Sequence, residues 1–288
     1  MSDFITRFAP SPTGPLHLGH AYSALLAHDM ARASGGKFLL RIEDIDNTRS
    51  RPKWEEQIYD DLTWLGITWD SEPMRQSDRL SAYKPALHAL WDRQLLFPCD
   101  CTRRDIQTAM SAPQEGVSPA YGPDGLIYPG TCRAIAPRTG RIPEQKTLRL
   151  DLREALSETE KTSFEFQEIG PEFSEQTQSV TCLELLSTVG DVILSRKDFL
   201  GSYHLSVVLD DAAQGITHVI RGHDLFEATK IHVVLQTLLG LPTPTYYHHR
   251  LIRDEHGKRL AKRDDARAIA KYRAEGSTPA DIRKMVGL

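Results

Sequence analysis

Residues 4–44 constrain the fold more than any other stretch. In FITRFAP, apolar Phe4, Ile5 and Phe8 make a short strand that a proline ends, and the loop after it holds Pro10, Pro12, Gly14 and Pro15. From Gly19 to Ser34 alanine and leucine dominate, with Ala21, Leu25 and His28 or Asp29 at helical spacing, until Gly35 and Gly36 stop the helix. KFLLRIED follows as a second strand, too apolar for a sheet with one wet face. Strand, loop, helix and strand in that order form a βαβ unit, which favours a parallel sheet and a right-handed crossover. Open sheets of this kind gather ligands at the carboxyl ends of their strands. Arg7 and Ser11 fall at the end of the first strand and Glu43 at the end of the second, so three polar groups are expected around one crevice.

A chain of 288 residues, 40% of them hydrophobic, can bury a core for one domain with an insertion or for two modest domains. The formal charge of −4 neither requires nor excludes a polyanionic partner, so any nucleic-acid surface has to be local. MSDFITRF carries no basic segment followed by a long apolar run, and no stretch approaches the roughly 20 apolar residues that span a bilayer. A cytoplasmic protein with no membrane association is expected. Four cysteines are too few for a disulfide framework, and the tight pair Cys99 and Cys101 points to metal or redox chemistry.

Ser50 to Leu65 reads as a further helix, with Pro52 near its start, Trp54, Ile58 and Leu62 on one face and Gly66 after its end. Ser77 to Phe97 has the same helical character. From Pro98 to Pro143 prolines and glycines multiply and apolar periodicity fades, as in an insertion. Regular pattern returns at TLRLDL, THVIRG is the clearest strand of the second half, and the prolines of LPTPTYYHH mark a joint after Leu241. The tail from Arg250 to Leu288 holds eleven Lys or Arg against six Asp or Glu and is where an RNA contact is expected. Cys182, in the apolar run TCLELLSTV, reads as a core residue.

GPLHLGH sits where a helix begins, and a helix N-terminus offers backbone N–H groups and a positive dipole to phosphate. His17 and His20 can donate to phosphate oxygens, and Gly19 lets a nucleotide approach the backbone. Taken alone, the pair could equally be two surface histidines or two metal ligands in want of a third.

The neighbouring segments change that reading. RFAPSPTGPLHLGH resembles the HIGH signature of class I aminoacyl-tRNA synthetases in the form found in their glutamyl branch. LLRIEDIDNTRS resembles that branch's second segment, GSYHLSVVLDDAAQGITHVIRGHDL its third, and GKRLAKRDD its KMSKS loop, in the same order across nearly the whole chain. The resemblance implies an α/β fold with a Rossmann-type parallel sheet, split by a zinc-binding insertion. Residues 1–97 and 190–248 would form the two halves of the catalytic domain, 98–189 the insertion, and 249–288 the KMSKS-like loop with a short helical end and no anticodon-binding domain. A chain that ends so soon after that loop is similar to a truncated subfamily of the branch, the glutamyl-queuosine enzymes, which attach glutamate to queuosine in the anticodon of tRNA(Asp).

The resemblance also assigns roles. Arg7, Phe8, Ala9, Pro10 and Ser11 would line a glutamate pocket, Glu43 would meet the substrate's ammonium, and Tyr203 and Arg221 would complete the site. A guanidinium can clamp a carboxylate bidentately and a carboxylate suits an amine, so the charges are complementary to glutamate. His17, Gly19, His20 and Lys262 would hold ATP, with magnesium on its phosphate oxygens. In the KMSKS-like loop Arg259 replaces the first lysine and Ala261 the central serine, while Lys262 keeps the position that would touch the triphosphate. Cys99, Cys101 and Cys132 would bind one structural zinc with Tyr128 as the fourth ligand. The expected partners are ATP, L-glutamate and queuosine-bearing tRNA(Asp), and nothing in the pattern asks for more than a monomer. Two other readings stay open: a truncated glutamyl-tRNA synthetase that charges an acceptor end, and a non-catalytic tRNA-binding paralogue.

Overall fold

The computed structural model describes residues 3–111, 121–135, 137–173, 176–253 and 267–288. β1 (Ile5–Phe8) and β2 (Lys37–Ile42) pair in parallel, Ile5 opposite Lys37 and Phe8 opposite Leu40, with α1 (Leu18–Ala33) as the crossover. α2 (Pro52–Trp64), opened by its proline, leads to the short β3 (Met74–Arg75), which joins β2 in parallel with Arg41 opposite Met74. Next come α3 (Leu80–Asp92), β4 (Leu96–Cys99), α4 (Arg103–Ser111) and a hairpin of two-residue strands, β5 (Tyr121–Gly122) and β6 (Gly125–Leu126). β7 (Thr147–Leu150), α5 (Leu152–Glu158), the antiparallel pair β8 (Ser163–Gln167) and β9 (Thr177–Thr181), α6 (Cys182–Thr188) and β10 (Ile193–Ser195) follow. The chain then forms α7 (Tyr203–Ala213), β11 (His218–Gly222), α8 (Phe226–Leu239) and β12 (Thr245–His249), and after them α9 (Ile269–Ala274) and α10 (Pro279–Val286).

β11 and β12 pair in parallel from His218 opposite Thr245 to Gly222 opposite His249. They lie on the other side of β1 from β2: the Thr217 N–H donates to the Ile5 carbonyl at 2.9 Å, and its hydroxyl accepts from the Ile5 N–H at 2.9 Å. Strand alternation sorts the side chains into two cores, one on each face. Phe38, Leu40 and Ile42 of β2 and Ile220 of β11 join α1, α2 and the C-terminal helices, while Leu39 and Val219 join α3, α7 and α8. The same alternation turns Arg41 to the Leu39 face, where α7 lies. A separate antiparallel sheet, in the order β10, β7, β4, carries the insertion.

Three expectations need correction. The helix expected over Ser77 to Phe97 ends at Asp92, because Gln94 takes a left-handed φ of 58° and Leu95 N–H closes back onto Leu90 O, so that Leu96 and Phe97 leave as strand. LPTPTYYHH is not a joint: its prolines precede β12, which continues the parallel sheet. Cys182 is only partly buried at the start of α6, where its thiol lies 3.0 Å from the Lys161 carbonyl. Among the described residues no helix is long and apolar enough to cross a membrane.

Candidate active site

A cleft of about 640 Å³ opens at the carboxyl ends of β1, β2 and β11. Arg7 to Ser11, at the end of β1 and in the loop after it, form one wall. Glu43 follows β2, Tyr203 opens α7, Arg221 sits in β11, and His17, Gly19 and His20 come from the start of α1. The cleft also takes in Arg49, Arg196, Phe199, Asp224 and His249, which sequence reasoning did not single out. Arg259, Ala261 and Lys262 lie outside the described residues. On either side of that stretch, Leu251 and Ile252 line the cleft and Ala268 bridges to His17.

His17 is the N-cap of α1, in extended conformation. Its Nδ1 accepts from the Gly19 N–H at 3.1 Å, and His20 Nδ1 accepts from the His17 N–H at 3.2 Å. Two backbone donors thereby consume the Nδ1 lone pairs, so each neutral imidazole carries its proton on Nε2. The rings lie 3.8 Å apart between centroids. Two N–H donors and the positive end of α1 thus converge at one spot, which suits phosphate.

The floor of the cleft is a charged network buried between β1, β2 and α7. Asp211 accepts from Arg7 Nε at 2.8 Å and from Arg41 Nη1 at 2.6 Å, and Arg41 Nη2 reaches Glu43 at 3.3 Å. Arg41 is wholly buried and also donates to Gln214 at 3.0 Å, while its Nε has no partner among the described residues. Burial would raise the Asp211 carboxyl, but the two guanidiniums outweigh it and hold the group down at about 2. Glu43 goes the other way: burial pushes its carboxyl up, and Arg41 and Arg7 only partly offset this. Two of the five N–H groups of Arg7 are taken by Asp211, so the guanidinium is fixed and still has donors for a ligand.

Arg221 is held differently, by neutral groups. Its Nε donates to His248 Nε2 at 3.1 Å, and its Nη2 to Thr229 Oγ1 at 2.6 Å and to the Leu225 carbonyl at 3.2 Å. His248 can accept at Nε2 only if Nδ1 bears the proton, and Nδ1 is bonded to Glu168. Burial, helped by the charge of Arg221, lowers the His248 imidazole to about 4, so the ring stays neutral. Among the described residues no carboxylate lies in contact with Arg221, so its positive charge suits an anionic ligand.

The insertion brings its cysteines together. The sulfurs of Cys99, Cys101 and Cys132 all lie within 4.8 Å of one another, and Cys101 and Cys132 are 3.5 Å apart. The Tyr128 hydroxyl lies 3.4 Å from the Cys99 sulfur and 3.6 Å from that of Cys101, and it accepts the Cys132 N–H at 2.8 Å. Tetrahedral zinc with bonds of about 2.3 Å needs sulfurs about 3.8 Å apart, so the donor set fits such an ion with little movement.

Comparison with known proteins agrees with this architecture. A family model for class I tRNA synthetases (E and Q), catalytic domain, matches residues 3–288. A curated relative from Rhodobacter capsulatus, named Glutamyl-Q tRNA(Asp) synthetase, is 61% identical over 285 residues, covering 99% of this chain and 100% of its own. A protein of the same name from Rhodopirellula baltica is 37% identical over 287 residues, covering 98% of this chain and 83% of its own. The crystal structure of a glutamate tRNA ligase from Elizabethkingia meningosepticum, in complex with its amino acid, aligns with a TM-score of 0.77 at 27% identity. That match covers 99% of this chain and 60% of the ligase, so the chain spans less than two thirds of the ligase's length. With the parallel-sheet topology and the full-length matches in agreement, the chain belongs to the class I tRNA synthetase family of the glutamyl and glutaminyl type, a family of ligases.

Proposed function

We propose that the protein activates L-glutamate with ATP and transfers the glutamyl group to queuosine in the anticodon of tRNA(Asp). The observation that carries this reading is the meeting, in one cleft, of a histidine-capped helix N-terminus with fixed Arg7, half-buried Glu43 and Arg221. The names of the curated relatives support the acceptor. In the first step the substrate's α-carboxylate attacks the α-phosphorus of ATP and pyrophosphate leaves, so no protein nucleophile is needed. His17, His20 and the N–H groups of α1 align and neutralise the phosphates, and Arg7, Glu43, Tyr203 and Arg221 fix the amino acid so that its carboxylate faces the phosphorus. Magnesium suits the phosphate oxygens of the nucleotide. In the second step a hydroxyl of the queuosine ring attacks the glutamyl carbonyl and AMP leaves. A splayed anticodon loop, whose bases are open to contact, suits such an acceptor.

The test is charging with labelled glutamate. Label should enter tRNA(Asp) that carries queuosine and not the same tRNA lacking the modification. Charging of tRNA(Glu) at its terminal adenosine, or indifference to the modification, would defeat this reading in favour of an acceptor-end enzyme.

The cysteine cluster we assign to one structural zinc held by Cys99, Cys101, Cys132 and Tyr128, which would supply folding energy to a segment with a small core of its own. Elemental analysis of the purified protein should find about one zinc per chain, and Cys132→Ser should lose it. In the same variant, limited proteolysis should cut the insertion while sparing the parallel-sheet core. Metal-free wild-type protein with a protease-resistant insertion would remove the assignment.

A further inference from the structure

From Arg221 runs a line of hydrogen-bonded groups that the chemistry above does not use. Arg221 Nη1 lies 3.4 Å from His232 Nδ1, His232 Nε2 lies 3.1 Å from His204 Nδ1, and His204 Nε2 lies 2.8 Å from Asp124 Oδ1. A guanidinium can only donate, so His232 Nδ1 must accept and His232 carries its proton on Nε2. That proton goes to His204 Nδ1, which places the His204 proton on Nε2 and directs it to Asp124. Every ring nitrogen is therefore used once, and the direction of each bond follows from the arginine at one end and the carboxylate at the other.

The line crosses three parts of the fold. His232 belongs to α8, one turn after Thr229, His204 belongs to α7 beside Tyr203, and Asp124 sits in the turn between β5 and β6 of the insertion. Both imidazoles are buried, at 2% and 3% exposure, whereas the Asp124 side chain is 51% exposed. The Tyr203 ring packs against both of them, with centroids 5.2 Å from His204 and 5.7 Å from His232. Burial, reinforced by the charge of Arg221, holds the His232 imidazole well below its ordinary value, so it stays neutral. Apolar side chains would fill this space without the risk of unsatisfied polar groups. The Nε and Nη2 sides of Arg221 are anchored by His248, Thr229 and Leu225, which leaves the Nη1 side anchored through this line and its longest bond.

We propose that Asp124, His204 and His232 are positioning residues: a hydrogen-bonded strut that orients the Nη1 edge of Arg221, so that the insertion hairpin tunes affinity for the amino acid. The proposal rests on Arg221 lying in the amino-acid pocket. The hydrogen bonds of Asp124, His204 and His232 run to one another and to Arg221, so glutamate and ATP should respond differently to the strut's loss.

The test uses the full chain and measures glutamate-dependent exchange of pyrophosphate into ATP. Asp124→Ala, at a half-exposed turn where the fold tolerates change, should raise the Michaelis constant for glutamate about fivefold to tenfold and leave that for ATP and the turnover number within about twofold. Asp124→Asn keeps an oxygen that accepts from His204 and should restore the glutamate constant. Nitrogen-15 spectra of the wild-type histidines should show His204 and His232 as neutral Nε2–H tautomers, and the Asp124→Ala variant should perturb His204 most. An unchanged glutamate constant in Asp124→Ala, equal shifts for glutamate and ATP, or an Nδ1–H or doubly protonated His232 would each overturn the proposal. A wild-type protein with the stated tautomers but no glutamate-dependent exchange would instead remove the amino-acid pocket, and the strut's purpose with it.

Discussion

Asp211→Ala should cost the protein about 3–5 kcal/mol and remove glutamate activation together with that stability. Arg7 and Arg41 share this one carboxylate, at 2.8 and 2.6 Å, and both guanidiniums are buried. Without it, Arg41 keeps Gln214 and an off-centre contact to Glu43, and Arg7 loses the anchor on its Nε side. Two like charges then face each other away from water, a far larger penalty than losing an exposed ion pair. Asp211→Asn separates charge from shape: it keeps an accepting oxygen, so part of the stability should return while the repulsion remains. Urea unfolding of the two variants beside wild type measures this, and a loss below about 1 kcal/mol in Asp211→Ala would show that the network is not a keystone.

The same group sets an acid limit. Its folded value of about 2 lies below the ordinary 3.8, so its contribution is fully present above the ordinary value and is lost as pH falls through the folded one. The expected worth is about 2 kcal/mol between those limits. Asp211→Asn should flatten this part of the stability profile below pH 4.

His17→Asn should lower the rate of glutamate-dependent pyrophosphate exchange about 100-fold to 1,000-fold with little change in stability. One substitution can separate the two jobs of His17: its Nδ1 caps α1 through the Gly19 N–H, and in the proposed function its Nε2–H donates to phosphate. Asparagine caps helices well, so the first job survives and the second is lost. His17→Ala loses both, and should add about 1 kcal/mol of destabilisation to the same kinetic defect. His20→Ala should show a similar loss of rate, because the His17 backbone N–H holds the His20 ring through its Nδ1. If His17→Asn retains wild-type exchange, the imidazole serves the helix and not the nucleotide.

The first βαβ unit was legible because its signals are local: strand, proline loop, capped helix and glycine stop follow one another within forty residues, and the structure keeps their order. Arg7 to Ser11, His17, Gly19, His20, Glu43, Tyr203 and Arg221, which line the cleft, were legible because each belongs to a short motif, whereas Arg49, Arg196, Phe199, Asp224 and His249 were not singled out. What was missed is long-range. Arg41 sits within the strand KFLLRIED and finds Asp211 170 positions later, and no local pattern announces that pairing. A hint existed in Asp210 and Asp211, two carboxylates in a helix whose neighbours Leu205, Val207 and Val208 are buried. Such a pair needs buried partners, and Asp210 takes Gln76, Arg79 and Tyr83. His232 and Asp124 are likewise unremarkable in sequence, and only the packing of α7 between α8 and the insertion hairpin aligns them. β12 was misread because its prolines were weighed above the tyrosines and histidines that follow them.

The last residues of the chain are stitched to its beginning. The Ile269 N–H donates to the Leu16 carbonyl, Ala268 pairs with His17, Arg283 forks onto Asp29, and Ile282 and Val286 are buried with the residues of α1. During synthesis the first helix must therefore wait for Ile269, Ile282 and Val286, far downstream, before this part of its apolar side is covered. A ribosome-bound chain halted before residue 268 would expose that side to chaperones, and the proposed nucleotide site should form only once α9 and α10 have emerged.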